Sequence, residues 1–249
     1  MRYNHTENFL RCKGHIFYEP FTAPENLDFV IFPFKDEIYE SIYNENYFVS
    51  LGKNVQVFSG LRNAYITKKC TDYGLDYHVI MEDRGVTQKN AVPTSEGVIA
   101  YLIGNRDYTL ANSRVLIIGY GVCGRDLAKR IKALGANVSA LVRNSEKECA
   151  AFSDSVTPVY LEELDGLNFD VYINTVPGRV LTEDIIKRTN GALLIDIASK
   201  PYGFDIEYAK KLNEKSALLL GIPGKYAVRA AGEILGEYIH HILSGRESE

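Results

Sequence analysis

Cysteine is scarce and scattered. Cys12, Cys70, Cys123 and Cys149 form neither a C-x-x-C pair nor a zinc-ribbon spacing, which argues against a disulfide framework or a metal centre. Histidine is missing over a long stretch: His5, His15 and His78 precede, and His240 and His241 follow, a span from Asn144 to Ile239 that has none. A charge excess is also lacking, because 28 Lys and Arg stand against 32 Asp and Glu for a net of −4. No broad basic surface competes for phosphate backbones or anionic lipid, so no nucleic-acid or membrane partner is expected. Nothing approaches the roughly 20 apolar residues of a membrane span, and the start MRYNHTENFLRCKGHIF has no apolar core of signal-peptide length. The chain reads as cytoplasmic.

What is there is an alternation. From Arg114 onward, short apolar runs (RVLIIG, NVSALVR, SVTPVY, DVYINTVP, ALLIDIAS, ALLLGIP) alternate with helical patterns (RDLAKRIKALG, TEDIIKRT, DIEYAKKLN). Continuous apolar strands between amphipathic helices are what a parallel sheet covered on both faces requires. A chain of 249 residues accommodates two lobes, each with its own core. The expected fold is α/β: a Rossmann-type doubly wound parallel sheet domain plus a smaller, N-terminally shortened α/β domain. In the smaller lobe DFVIFPF, NVQVFSG and DYHVIME read as buried strands, with DEIYESIYNEN and RNAYITKKCTDYG as helices between them. The opening two dozen residues read as polar and unpatterned. Pro93 sets an extended entry and Thr94 an N-cap, so the expected division is a small domain over 1–93, a linker helix 94–106 within a dinucleotide domain 94–223, and a C-terminal amphipathic helix within 224–249 docking on the first lobe.

Gly119, Gly121 and Gly124 in the stretch GYGVCG follow an apolar strand and open an amphipathic helix. The first glycine permits the tight turn, the second lets backbone approach a pyrophosphate, and the third lets helix pack on strand. The helix N-terminus then directs free N–H groups at the phosphates, so Tyr120, Val122 and Cys123 join the glycines as cofactor contacts. Cys123 reads as a packing residue rather than a catalytic thiol. Where NAD-selective folds carry an acid at the end of the second strand, this chain has Arg143 followed by Asn144 and Ser145. An arginine suits a ribose 2′-phosphate, so NADP is favoured, with NAD left open.

The nicotinamide is expected over the carboxyl ends of the later strands, which makes Thr175, Val176 and Pro177 of NTVPGR and Ala198 and Ser199 of IASKPYG further cofactor candidates. Lys200 supplies a cation just beyond its strand, and Ser59 and Gly60 of FSGLRN stand between a strand and a helix as a backbone anion nest. Together they suit a small carboxylate substrate, with Arg62 and Arg179 as alternatives should the register shift by a turn.

FSGLRNAY, NAVPTSEG, RVLIIGYGVCGRDLAKRIKALGANV, INTVP, IDIASKPYGFD and GIPGKYAVRAAGEIL occur in this order. From about Leu27 to the C-terminal helix the chain resembles the family of the dipicolinate synthase A subunit, itself related to the two-lobed D-2-hydroxyacid dehydrogenases. The resemblance implies oxidation of a dihydrodipicolinate to pyridine-2,6-dicarboxylate with NADP during sporulation, together with the flavoprotein-like B subunit of dipicolinate synthase. Homo-oligomerisation is left open. In that family the position of Lys200 is commonly arginine, so charge is kept and bidentate geometry lost. The family also begins with a further strand and helix, which implies that the first lobe is completed by a partner chain or belongs to a divergent paralogue. Two other readings stay open. A D-2-hydroxyacid dehydrogenase needs a histidine on the cofactor side, which the span without histidine opposes. A non-catalytic nucleotide-binding subunit needs no base at all.

Overall fold

A computed structural model of the chain describes residues 2–17, 27–32 and 43–245. It divides into two compact units, Met1–Lys89 with Val228–Glu249, and Asn90–Ala227. Among the described residues no helix is long and apolar enough to cross a membrane.

In chain order the first unit contains α1 (Arg2–Cys12), β1 (Phe29–Ile31), α2 (Glu45–Ser50), β2 (Gln56–Ser59), α3 (Ala64–Tyr73), β3 (Asp76–Val79) and the start of α4 (Arg84–Gly104). The three strands form one parallel sheet in the order β1-β2-β3. α3 starts where Asn63 stops the chain from continuing as strand: its side-chain oxygen accepts from the N–H groups of Tyr65 and Ile66 at 2.9 and 3.1 Å. It ends at Gly74, whose φ of 66° needs no Cβ to be accommodated. Most of the expected helix DEIYESIYNEN lies outside the described residues, and a short helix, α2, takes in its last two residues, Glu45 and Asn46, and runs on to Ser50.

The second unit holds β4 (Arg114–Ile118), α5 (Val122–Ala133), β5 (Asn137–Leu141), α6 (Ser145–Ser153), β6 (Thr157–Val159), β7 (Val171–Asn174), α7 (Glu183–Arg188), β8 (Leu193–Asp196), α8 (Ile206–Leu212), β9 (Ala217–Leu218) and α9 (Pro223–Tyr226). Its six strands are all parallel in the order β6-β5-β4-β7-β8-β9, the doubly wound arrangement in which the strand order reverses between β4 and β7. Successive strand residues point to opposite faces. Val115 and Ile117 of β4 therefore join Leu127 and Ile131 of α5 in one core, while Leu116 and Ile118 join Ile186 of α7 and Phe204 in the other. Both faces are covered, which is why RVLII has no polar alternation.

Two expectations are corrected here. The helix expected over 94–106 begins ten residues earlier, and Pro93 lies inside it. Its true start is Asp83, whose carboxylate accepts from the Val86 N–H at 2.8 Å and whose carbonyl accepts from the Thr87 N–H. Thr94 is no cap, since its hydroxyl donates to the carbonyl of Asn90, one turn back inside the helix, at 2.7 Å.

The second correction concerns the N-terminus, where part of the stretch expected to be unpatterned is α1. That helix packs on α10 (Val228–Leu243). Leu10, Leu235 and Ile239 are fully buried in one core, the Thr6 hydroxyl donates to the Gly232 carbonyl at 3.0 Å, and the Phe9 ring lies where a Cβ on Gly236 would come within 2.6 Å of it. The burying residues of α1 are few, so the remaining side chains mask the period in the sequence.

Candidate functional site

The glycine loop between β4 and α5 lies at the point where the strand order reverses. Gly119 has a φ of +91°, and a Cβ there would come within 2.2 Å of the Val176 side chain; a Cβ on Gly124 would lie 2.1 Å from the Gly119 carbonyl oxygen. Those two glycines are required by the turn and by helix–strand approach. Gly121 is different, because a Cβ there meets nothing within 4 Å. Gly121 is also the N-cap of α5, with no side chain satisfying the first N–H groups of the helix. Open space beside bare backbone, at the positive end of a twelve-residue helix, fits the pyrophosphate of a dinucleotide.

The loop is anchored from behind. Tyr120 is 3% exposed, and its hydroxyl donates to Asp154, beyond the end of α6, at 2.9 Å. Arg125 grips the same carboxylate through Nε at 2.5 Å and Nη2 at 3.0 Å, and Lys129 lies 3.2 Å away. The Arg125 guanidinium holds the Asp154 carboxyl well below the usual carboxylate range, with Tyr120 and Lys129 adding to the effect. Burial, then the bond to Asp154, pushes the Tyr120 phenol upward. The Tyr120 side chain, expected to contact cofactor, is thus committed to the fold, and only its backbone remains for a ligand. Burial also raises the Cys123 thiol, with nearby Asp126 adding, which keeps it in the unreactive form.

At the carboxyl end of β5, Arg143 is exposed and makes no hydrogen bond or ion pair among the described residues. Its neighbour Asn144 accepts from the Lys147 N–H at 3.0 Å and so serves as the N-cap of α6. Ser145 is exposed in the first turn. Lys147 belongs to no motif in the sequence, yet it stands at the same corner, with Glu146 held 2.9 Å from its ammonium. The β5 end joins the glycine loop directly, through the Gly119 N–H and the Leu141 carbonyl at 3.0 Å.

The loops after β7 and β8 complete this end of the sheet. Thr175 donates its hydroxyl to the Ile118 carbonyl at 2.9 Å, fastening the Thr175–Val176–Pro177 segment to the glycine loop. Thr175 and Val176 are half-buried and Pro177 is exposed. Beneath them lie two residues that sequence motifs do not single out, Asn174 and Asp196, with 0% and 1% exposure. Asn174 donates to Asp196 at 2.8 Å and to the Val176 carbonyl at 2.9 Å. Ala198 N–H and Gly203 N–H also donate to Asp196, at 2.9 and 2.6 Å. Ala198 is buried, whereas Ser199 and Lys200 are exposed, and Lys200 has no ion-pair partner among the described residues.

Ser59, Gly60 and Arg62 belong to the first unit. The Ser59 hydroxyl donates to the Leu61 carbonyl at 2.8 Å and lies 2.6 Å from the Tyr77 hydroxyl; the residue is 1% exposed. Its side chain offers no donor to an anion, which leaves only the backbone of this turn for one. Arg62 is bound at both ends of its guanidinium to Glu82, at 2.7 and 2.5 Å. The signal for Asp196 in the sequence is an acid closing the apolar strand ALLID, which is as compatible with an exposed strand end as with a residue that holds backbone.

Residues 94–197, which include the glycine loop, match the family described as D-isomer specific 2-hydroxyacid dehydrogenase, NAD binding domain, which supports a nicotinamide dinucleotide as the cofactor of this domain. The dipicolinate synthase A subunit of Bacillus subtilis (strain 168) is 32% identical over 196 residues, covering 78% of this chain and 66% of that protein. The chain thus spans about two thirds of that relative's length. The crystal structure of the dipicolinate synthase A chain from Bacillus subtilis superposes with a TM-score of 0.83 at 28% identity, covering 92% of this chain and 82% of the other. The corresponding dipicolinate synthase structure from Bacillus halodurans gives 0.80 at 27% identity, covering 88% and 80%.

Proposed function

We propose that this chain, a relative of the dipicolinate synthase A subunit within the D-2-hydroxyacid dehydrogenase-like Rossmann proteins, oxidises dihydrodipicolinate to pyridine-2,6-dicarboxylate with NADP. As in that family, the flavoprotein-like B subunit is its partner and sporulation its setting. The observation that carries the reading is the corner formed by the open glycine loop, the uncapped α5 N-terminus and the unpaired Arg143. It suits a dinucleotide bearing an extra phosphate better than one presenting a ribose diol.

Backbone N–H groups of Gly121, Val122 and Cys123 hold the pyrophosphate, and the Arg143 guanidinium holds the 2′-phosphate with Lys147 beside it. When bound, the nicotinamide ring supplies a hydride acceptor. Oxidation of the dihydropyridine removes one hydride and one proton and leaves an aromatic ring. Aromatisation itself favours that loss, so water suffices to take the proton and no strong base is demanded of the protein. This agrees with a unit, Asn90–Ala227, that contains no histidine. Lys200, exposed and without an ion-pair partner, meets a substrate carboxylate. An isolated carboxylate brought out of water is costly, whereas one paired with an ammonium is not.

The test is to incubate the purified full-length chain with NADP and a dihydrodipicolinate preparation, with and without the flavoprotein-like partner, and to follow NADPH. NADPH formation that depends on dihydrodipicolinate supports the reading. Tight NADP binding with no turnover, even beside the partner, would favour a non-catalytic nucleotide-binding subunit. Turnover of a D-2-hydroxyacid in place of dihydrodipicolinate would favour the dehydrogenase reading. Lys200→Ala is expected to weaken substrate binding while leaving NADP affinity nearly intact.

A further inference from the structure

Asp196 is a buried carboxylate whose side-chain partners are all neutral. Its three donors are the Asn174 amide at 2.8 Å, the Ala198 N–H at 2.9 Å and the Gly203 N–H at 2.6 Å, and no cation is within ion-pair distance among the described residues. A packed apolar residue would cover the same space without burying a charge, so the carboxylate's role is sought in what it holds.

It holds a loop at both ends. Ala198 and Gly203 bracket the segment Ser199–Tyr202, which includes Lys200. Within the segment Tyr202 has a φ of +63°, a left-handed conformation that a non-glycine residue adopts only when its surroundings over-determine it. Those surroundings are visible. The Tyr202 N–H donates to the Ser199 carbonyl at 3.1 Å, and the Gly203 carbonyl accepts from the N–H groups of Val180 and Leu181 at 2.9 and 3.1 Å. Gly203 also lies so close to Asn174 that a Cβ would come within 2.2 Å of its amide group. Asn174, through the Val176 carbonyl and N–H at 2.9 and 3.2 Å, belongs in turn to the segment that packs on Gly119.

We infer that Asp196, braced by Asn174, is a positioning residue that fixes the backbone of loop 197–203 and thereby the place of Lys200. The inference deepens the proposed function and rests on Lys200 meeting the substrate carboxylate. The consequence is asymmetric: Asp196 acts on substrate only through the loop, so removing it adds nothing once the Lys200 ammonium is gone. Asp196→Asn probes this, because one acceptor becomes an NH2 group. Whichever way the amide is turned, it sets a donor against the Gly203 N–H, or against the Ala198 N–H and Asn174.

The experiment compares Asp196→Asn, Lys200→Ala and the double variant in the full chain. It reads amide hydrogen exchange at Ala198 and Gly203, and the affinity of the NADP-saturated protein for pyridine-2,6-dicarboxylate by calorimetry. In Asp196→Asn, exchange at Gly203 or Ala198 should accelerate at least about tenfold relative to Ile195 in the preceding strand, as expected for a lost hydrogen bond to a charged group. Each single variant should weaken dicarboxylate binding by about tenfold or more, and the double variant should be no weaker than Lys200→Ala alone. Effects of the two substitutions that multiply, or exchange unchanged at both amides, would overturn the assignment. Should Asp196→Asn not fold, Asn174→Ala, which removes one of the three donors and leaves both backbone bonds, should show the same shifts on a smaller scale. No shift there would equally overturn it. If the unmodified chain does not bind the dicarboxylate, the substrate reading fails, and the exchange data alone decide whether Asp196 holds the loop.

Discussion

Asp154→Asn is the substitution whose consequences the structure specifies most fully. The carboxylate takes a hydrogen bond from the buried Tyr120 hydroxyl and is gripped by Arg125 and Lys129. A bond from a buried donor to an ionised acceptor contributes about 1.5–3 kcal/mol, against about 0.5–1.5 for a neutral one. The amide therefore retains part of the Tyr120 bond. Arg125 and Lys129 are about half exposed, at 46% and 53%, so water screens them and each adds at most about 1 kcal/mol. The net loss is about 1–3 kcal/mol. For a protein of this size that lowers Tm by about 2–12 °C. Because the folded carboxyl lies below its ordinary range, its stabilisation is present at neutral pH and is lost as pH falls below about 4. Thermal unfolding of both proteins, followed by circular dichroism at pH 7 and pH 3, should show a gap that narrows on acidification. NADP affinity should fall as well, since Tyr120 sits between Gly119 and Gly121. Equal Tm values at pH 7, or a gap as wide at pH 3, would refute the reasoning.

Three further outcomes are expected. Calorimetry should find NADP bound more tightly than NAD by about 1–3 kcal/mol, with Arg143→Asp reversing the order; equal affinities in the unmodified chain would remove the argument for the phosphorylated cofactor. Gly124→Ala should destabilise the second unit as well as abolish dinucleotide binding, because its Cβ would lie 2.1 Å from backbone. Gly121→Ala has open space and should weaken binding with Tm nearly unchanged, so a matching loss of stability in both would contradict this division of labour. Leu10→Ala, at a fully buried position of α1, should cost about 2–5 kcal/mol in denaturant titrations; a loss under about 0.5 kcal/mol would mean that α1 is not docked on α10 in solution.

The second unit is legible in the sequence because its strands are buried on both faces. A run such as RVLII admits few structures other than a central parallel strand, and the glycine spacing after it fixes the turn. Legibility fails where the determining contacts are distant in sequence. α1 shows its burial in contacts remote in sequence, above all with α10 through Thr6 with Gly232 and Phe9 over Gly236, and nothing within Arg2–Cys12 announces that partner. Pro93 reads as a boundary because proline disfavours a helix interior. Packing overrides that cost: Val98 and Leu102, later in the same helix, are fully buried in the core of the second unit, and Asp83 supplies a cap upstream.

The candidate site divides along the same line. Residues whose role is carried by backbone, such as Gly119, Gly121 and Gly124, can be placed from spacing alone, since what matters is the missing Cβ. Residues whose role depends on a side chain can be chosen by type but not by commitment. Tyr120 and Ser59 both belong to well-placed motifs, yet their hydroxyls are bonded inside the fold, to Asp154 and to the Leu61 carbonyl. Arg143 and Lys200 lie in equally plausible segments and have no ion-pair partner among the described residues. The converse holds for Asn174 and Asp196. Each ends an apolar strand, VYIN and LLID, and from the sequence each is equally compatible with a solvated strand end. What distinguishes them is parallel pairing, which sets Asn174 opposite Asp196 and so brings an amide to a carboxylate under two loops that the chain separates by the whole of α7. Register, a property of the sheet, turns two polar strand ends into the support of the site.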